Sequence, residues 1–263
     1  MGTPETDPLR SSRESGLVDA VILAGGSAEA LDPACPAKGL FPVSGRPLVA
    51  WVADALRQAK SIRRIVAVVP SDECRGPWTE LVDEVVICDG SFSENLGAGV
   101  HALSGDLMLA AATGDIPALT PEAVDDLVAQ TLARKVALSY PLISRADMSE
   151  QFPGSQRTYF KLKAGRFTGG NIMVGDPRLY ETFKNLTQQL YDTRKNPLAM
   201  VKMIGLKFVV KLALGRLEPR DVEMKLGQLI DAPCAAVYTR SASIGADVDK
   251  LADVAPVEQV LER

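Results

Sequence analysis

Leu107-Met-Leu-Ala-Ala-Ala-Thr-Gly-Asp-Ile-Pro117 is an apolar run that ends on a carboxylate. A continuous apolar segment of this length reads as a strand buried on both faces, as in a parallel sheet. In open α/β sheets, ligands gather outside the carboxyl ends of such strands, which is where Asp115 falls. A second segment of the same kind, Val18-Asp-Ala-Val-Ile-Leu-Ala-Gly-Gly26, ends on glycines and is followed by Lys38. Glycines that let backbone N–H groups approach phosphate, a lysine and an aspartate suited to a hard cation point together to chemistry on a nucleoside triphosphate.

Working outward from these two strand ends, alternation of strands and helices continues through the first half of the chain. Strands are expected at 18–24, 64–70, 84–88, 107–113 and 135–143. Helices are expected from Pro47 to Arg57, around 78–82, over 95–103 and from Thr120, where Thr caps, Pro opens and acids fill the first turn. This alternation implies βαβ units. Beyond Arg145 the pattern changes. Residues 158–163 alternate like an antiparallel strand, Ala164-Gly165 turns, and 167–175 holds a second short strand containing Gly169-Gly170-Asn171. Helical text fills about 177–229, a last strand is expected at 235–239, and Asp247-Val-Asp249 leads into a terminal helix. The fold class is therefore α/β: a mostly parallel Rossmann-like sheet with helices on both faces, a small antiparallel β-ribbon and a C-terminal helical insertion. Residues 1–16, polar and without an apolar core, read as a disordered tail and not a signal peptide, leaving 17–263 as one domain.

The 263 residues carry a formal charge of -4, which gives no bulk attraction to nucleic acid. Cys35, Cys74, Cys88 and Cys234 form no C-x-x-C pair, disfavouring structural zinc and a disulfide framework, and a reduced cytoplasmic setting is expected. His101 is the only histidine, sits in an expected helix and is taken as structural, so a Ser-His-Asp hydrolase is poorly supported.

The loop Leu23-Ala24-Gly25-Gly26 with Lys38 is neither a Walker A loop nor a dinucleotide fingerprint. Taken alone, it is as readily a glycine turn beside a solvated lysine. Asp247 and Asp249 point the same way if extended, so either is a candidate second carboxylate for an ion bound by Asp115. Each is equally a candidate N-cap of the terminal helix. Asn171, beside two glycines, offers both donor and acceptor to a ligand, although a tight turn explains those glycines as well.

In their order and spacing, V-I-L-A-G-G, P-A-K-G-L-F-P-V-S-G-R-P-L-V, A-T-G-D-I-P-A-L-T, F-T-G-G-N-I-M-V and the late D-V-D-K-L-A-D resemble the molybdenum-cofactor nucleotidyltransferase-like (NTP transferase domain) proteins of the glycosyltransferase-A-like superfamily. The resemblance implies that Leu23, Ala24, Gly25, Gly26 and Lys38 hold the nucleotide, with Asn95 near the base or ribose. It further implies that Asp115 coordinates Mg²⁺, helped by Asp249 with Asp247 beside it, and that Asn171 touches the acceptor. The implied activity is transfer of NMP from an NTP to a phosphorylated small-molecule or lipid-linked acceptor, with release of pyrophosphate and with Lys38 and Asp115 as catalytic groups. A non-catalytic nucleotide-binding protein and a glycosyltransferase using a nucleotide sugar are the alternatives.

Two departures stand out. The family loop usually carries an arginine where this chain has Ala30; Arg46 is a candidate substitute. From Asn196 to Arg220 the chain is apolar but broken by Lys202, Lys207, Lys211 and Arg216, which argues against a spanning helix. Lys207 and Lys211 share one helical face, and Gly205 is expected to split the stretch. The favoured expectation is a helical subdomain packed on the sheet or at a dimer contact; a lid or membrane-surface element is the less favoured one. Base, acceptor and oligomeric state are left open.

Overall fold

The computed structural model describes residues 7–193 and 204–262. Its frame is a nine-stranded sheet. Strand β1 (Val18–Leu23) is flanked in parallel by β4 (Ile62–Val69) and β6 (Leu109–Thr113), and β5 (Glu84–Ile87) lies parallel outside β4. A two-stranded clip, β2 (Pro42–Val43) and β3 (Arg46–Pro47), separates β1 from helix α2 (Leu48–Gln58). The order β5-β4-β1-β6 reverses direction between β1 and β6, which makes their carboxyl ends a topological switch point.

Period-two alternation explains why helices cover both faces. Ala20 and Ile22 of β1 point into one core with Leu48, Val52 and Leu56 of α2 and Val124 and Leu127 of α4 (Pro121–Arg134). Val21, between them, points into the other with Val66, Val68 and Leu96 of α3 (Phe92–His101). Thr120 caps α4 as its sequence predicts, accepting from the Ala123 N–H at 3.2 Å. Helix α3 starts three residues earlier than expected, because Ser91 and Glu94 form a reciprocal capping box. The segment expected as a helix at 78–82 is a 3-10 turn, Pro77–Leu81. Gly99 lets α3 sit directly on β1: a Cβ there would meet Val21 Cγ1 at 2.5 Å. Gly99→Ala is expected to destabilise the fold by about 1–3 kcal/mol through overpacking, read from denaturant unfolding. An unchanged unfolding midpoint would mean that α3 shifts freely.

The second half departs from the expected ribbon. Strands β8 (Phe160–Leu162) and β9 (Gly165–Gly169) do form an antiparallel hairpin, laid on β7 (Leu138–Ser144). The residues that follow do not extend the hairpin. After Gly170 the chain turns, and β10 (Ile172–Gly175) inserts antiparallel between β6 and β7 in the sheet centre. The close approach at this turn requires that Gly170 lack a side chain: a Cβ there would strike Ile244 Cγ2 at 2.4 Å and Pro141 Cγ at 2.7 Å. Strand β11 (Cys234–Thr239) joins β7 in parallel. Between β10 and β11 lie α6 (Tyr180–Thr193), α7 (Leu206–Ala213) and α8 (Pro219–Ile230); α5 (Arg145–Gln151) follows β7 and α9 (Leu251–Leu261) ends the chain. The helical insertion is thus present, with Gly205 (φ +97°) directly ahead of α7; 194–203, including Lys202 and most of the stretch that Gly205 was expected to split off, lie outside the described residues.

The disordered-tail expectation is corrected over 8–15. Pro8–Ser15 is a helix, α1, capped by Asp7 and closed by Gly16. Buried Ser12 accepts from the Met108 N–H at 2.8 Å, so a tertiary hydrogen bond orders a segment whose composition is polar. Residues 1–6 lie outside the described residues.

Candidate active site

Leu23 and Thr113 are register partners at the ends of β1 and β6, so the two loops leaving the switch point start side by side. They approach closely because Gly39 and Gly114 lack side chains: a Cβ would meet Ala24 O at 2.7 Å and Ala24 Cα at 2.9 Å, respectively. The first loop turns at Gly26 (φ +91°), whose carbonyl accepts from the Lys38 N–H at 3.0 Å. That bond folds 27–37 back on itself and brings Lys38 under the glycines. The N–H groups of Gly25 and Gly26 make no hydrogen bond among the described residues, leaving two donors for an anion.

A cavity of about 260 Å³ opens here, lined by Leu23, Gly25, Gly26, Lys38, Asn95 and Asp115 among others. All six were expected at the nucleotide or metal site. Asn95 closes the far wall through a two-way bond to Gly90, accepting from its N–H at 3.0 Å and donating to its carbonyl at 3.1 Å. Half-exposed Phe92 also lines the cavity and was missed from sequence; an aromatic next to a capping serine has no signal of its own. Ala24 is corrected: it is buried behind the cavity, with its N–H bonded to Val68 O at 2.9 Å, and supplies the surface that Gly39 and Gly114 pack against.

Asp115 sits at the cavity floor, its side chain 12% exposed. Thr113 Oγ1 donates to one of its carboxylate oxygens, and its carbonyl accepts from Val248 N–H at 3.0 Å. The second bond ties the late Asp-Val-Asp segment to the end of β6. Carboxylate oxygens of Asp115, Asp247 and Asp249 consequently lie within 4.8 Å of one another. Neither Asp247 nor Asp249 caps α9. Asp253 does that work, accepting from the N–H groups of Asp249 and Lys250 at 3.1 Å each. The two upstream aspartates are thereby free for the site.

Two cations hold the three carboxylates together. Lys38 Nζ bridges Asp115 and Asp249. Burial by itself pulls the Lys38 pKa down, but attraction to Asp115 and then Asp249 outweighs it, and the pKa is raised above the ordinary lysine value. Arg157 abuts Asp247 and donates to Asn171 Oδ1 at 3.4 Å, while Asn171 Nδ2 donates to Asp247 Oδ2 at 3.2 Å. Burial lowers the Arg157 pKa against the pull of Asp249, Asp253 and Asp115. Arg157 precedes β8 in a segment read from sequence only as approaching a strand, and no local pattern marks it. Asn171 falls where β10 enters the sheet, its own N–H bonded to Ile244 O at 2.8 Å and its side chain on Asp247, and it is not among the residues that line the glycine loop's cavity.

Arg46 does not replace the arginine absent at Ala30. Its guanidinium stacks over Trp51, 4.4 Å from the ring centroid, and reaches Asp54 at 3.4 Å. His101 packs edge-on against Tyr180, ring centroids 5.6 Å apart, outside the cavity lining.

The family model for the MobA-like NTP transferase domain matches residues 20–191. A hypothetical transferase from Thermus thermophilus is 33% identical, superimposes with a TM-score of 0.79, and the match covers 90% of this chain and 99% of that one. Two more distant structures share the fold. One is a CMP:2-keto-3-deoxy-manno-octonic acid synthetase complexed with CTP (12% identity, TM-score 0.60, 94% and 98% covered). The other is the 4-diphosphocytidyl-2C-methyl-D-erythritol synthase of Anaerococcus prevotii (15% identity, TM-score 0.60, 96% and 99% covered).

Proposed function

The chain belongs to the MobA-like NTP transferase domain family, and from that premise we propose that it transfers NMP from an NTP to a phosphate on an acceptor, releasing pyrophosphate in a Mg²⁺-dependent reaction. The observation that carries this reading is the convergence of Asp115, Asp247 and Asp249, held by Lys38 and Arg157, beside a glycine-walled cavity at the switch point. The triphosphate lies over Gly25 and Gly26, whose free N–H groups meet its oxygens, and Lys38 turns from the carboxylates toward it. Phe92 offers a stacking face to the base and Asn95 fixes the wall beside it. Three carboxylates are the hard-oxygen donor set that Mg²⁺ prefers, and Asp115 and Asp249 would hold it, with Asp247 adjacent. When bound, the ion neutralises charge at the α-phosphate.

Arg157 and Asn171, at Asp247, receive the acceptor phosphate. That phosphate is already ionised, so no general base is needed, and the chain contributes positioning and preorganised charge. The absence of an arginine at the glycine loop leaves Lys38 and the backbone donors as the groups that steady the triphosphate. The cytidylyl-transferring names of the two distant neighbours make CTP the first nucleotide to try.

Pyrophosphate release with a panel of NTPs and phosphorylated acceptors tests the reaction class. Release that needs both substrates is the expected result. Nucleotide binding without turnover, or sugar transfer from a nucleotide sugar without pyrophosphate, would overturn it. Within the carboxylate set, Asp249→Ala is expected to shift the Mg²⁺ dependence of turnover with little change in melting temperature, because Asp249 is 64% exposed and caps nothing. Asp247→Ala is expected to cost stability as well, since it strips Arg157 and Asn171 of a shared partner. Unchanged Mg²⁺ dependence in the Asp249 variant would remove it from the metal site.

A further inference from the structure

Helix α7 buries none of its residues, and its outer face is apolar. Leu206, Val210 and Leu214, spaced four apart and therefore in one row, are exposed, Leu206 at 65% and Leu214 at 59%. Met224 of α8 is exposed as well. Only the opposite side of α7 is engaged: Phe208 packs toward the small core under β7 and β8, and Lys211 pairs with Asp221 at 2.6 Å. The expected packing of this segment on the sheet is therefore made by the Phe208 side alone, and the outer row is uncovered among the described residues.

The rim of the row is cationic. Lys207 and Arg216 line the same depression as Leu206, Val210 and Leu214, and neither makes an ion pair among the described residues. The described residues 204–230 hold five basic and three acidic side chains, whereas the whole chain has a net charge of -4. Positive charge is thus concentrated around an apolar row on an otherwise acidic protein. No described helix is long and apolar enough to cross a membrane.

We propose that α7 and its cationic rim dock this protein onto an anionic lipid surface, Leu206, Val210 and Leu214 entering the boundary of the acyl chains while Lys207 and Arg216 meet the headgroups. An apolar row flanked by unpaired cations is the pattern of a helix lying in a bilayer interface. A second copy of this chain is a poorer occupant, because it would bring the same positive charge against itself. An acidic protein groove would satisfy the rim but gives no reason for three exposed aliphatic residues in a single row.

The test is co-sedimentation of the full chain with phosphatidylcholine vesicles, with and without phosphatidylglycerol. Binding is expected only to the anionic vesicles, weakening with added salt. Each cation removed near such a surface lowers binding about fivefold, so Lys207→Gln with Arg216→Gln should lower it roughly 25-fold. Leu206→Ser with Leu214→Ser should abolish it while the melting temperature holds, since both side chains are exposed. Failure of the native chain to sediment with anionic vesicles would overturn the proposal, as would retention of binding in both variants. A concentration-dependent dimer that the serine variant dissociates would assign the face to a second copy instead.

Discussion

Asp115→Asn is expected to lower turnover by roughly 10²–10³-fold or more, the scale of losing a preorganised electrostatic group at the reacting centre. The substitution keeps size and shape. Thr113 Oγ1 can still donate to the remaining carbonyl oxygen, and the backbone bond from Val248 to the Asp115 carbonyl is untouched. What is lost is one negative charge from a set whose oxygens lie within 4.8 Å of one another. The fold should therefore survive while Mg²⁺ dependence shifts to much higher concentration. Pyrophosphate release across a Mg²⁺ titration, with thermal melting as the control for folding, measures both. Near-normal turnover at low Mg²⁺ would take Asp115 out of the chemistry.

Lys38→Ala should produce two effects of opposite sign. Triphosphate binding is expected to weaken by about 10–100-fold, the scale of a hydrogen bond to a charged group, while binding of the bare nucleoside changes little. Binding of Mn²⁺ alone should strengthen, because the ammonium that now bridges Asp115 and Asp249 no longer competes with a cation for them. Calorimetry with NTP, nucleoside and Mn²⁺ separates these contributions. An equal loss for NTP and nucleoside would mean that the Lys38 side chain supports the loop and not the phosphates, since the backbone bond from residue 38 to Gly26 survives the substitution. Weaker Mn²⁺ binding would show that Lys38 organises the carboxylates and does not oppose a cation there.

Several residues of the candidate site were legible as candidates because their signals are local. Glycines at the end of an apolar strand mark Gly25 and Gly26, and a carboxylate at the end of another marks Asp115. Thr120 and Ser91 announce their helices through capping chemistry written in consecutive residues. Asp247 and Asp249 were visible as candidates, but the cap-or-ligand ambiguity could not be resolved from spacing. It is resolved by Asp253, whose carboxylate takes the N–H groups at the head of α9.

The parts that were not legible are those decided by long-range placement. The sequence by itself determined the strand–helix alternation, the two covered faces of the sheet and the strand ends at which a site forms, because side-chain period and turn chemistry act over a few residues. Only the tertiary structure decided that 172–175 leave the ribbon and enter the sheet centre, that Ala24 is wall and not lining, and that α1 is ordered through Ser12. It also decided that Arg157 joins the site and that Arg46 does not. The physical reason lies in sequence separation. Lys38 meets Asp115 across 77 positions and Asp249 across 211, and Asn171 meets Asp247 across 76. Contacts at such distances are set by how the end of β6, the start of β10 and the segment before α9 meet at one end of the central strands, and no local pattern of residues encodes that meeting.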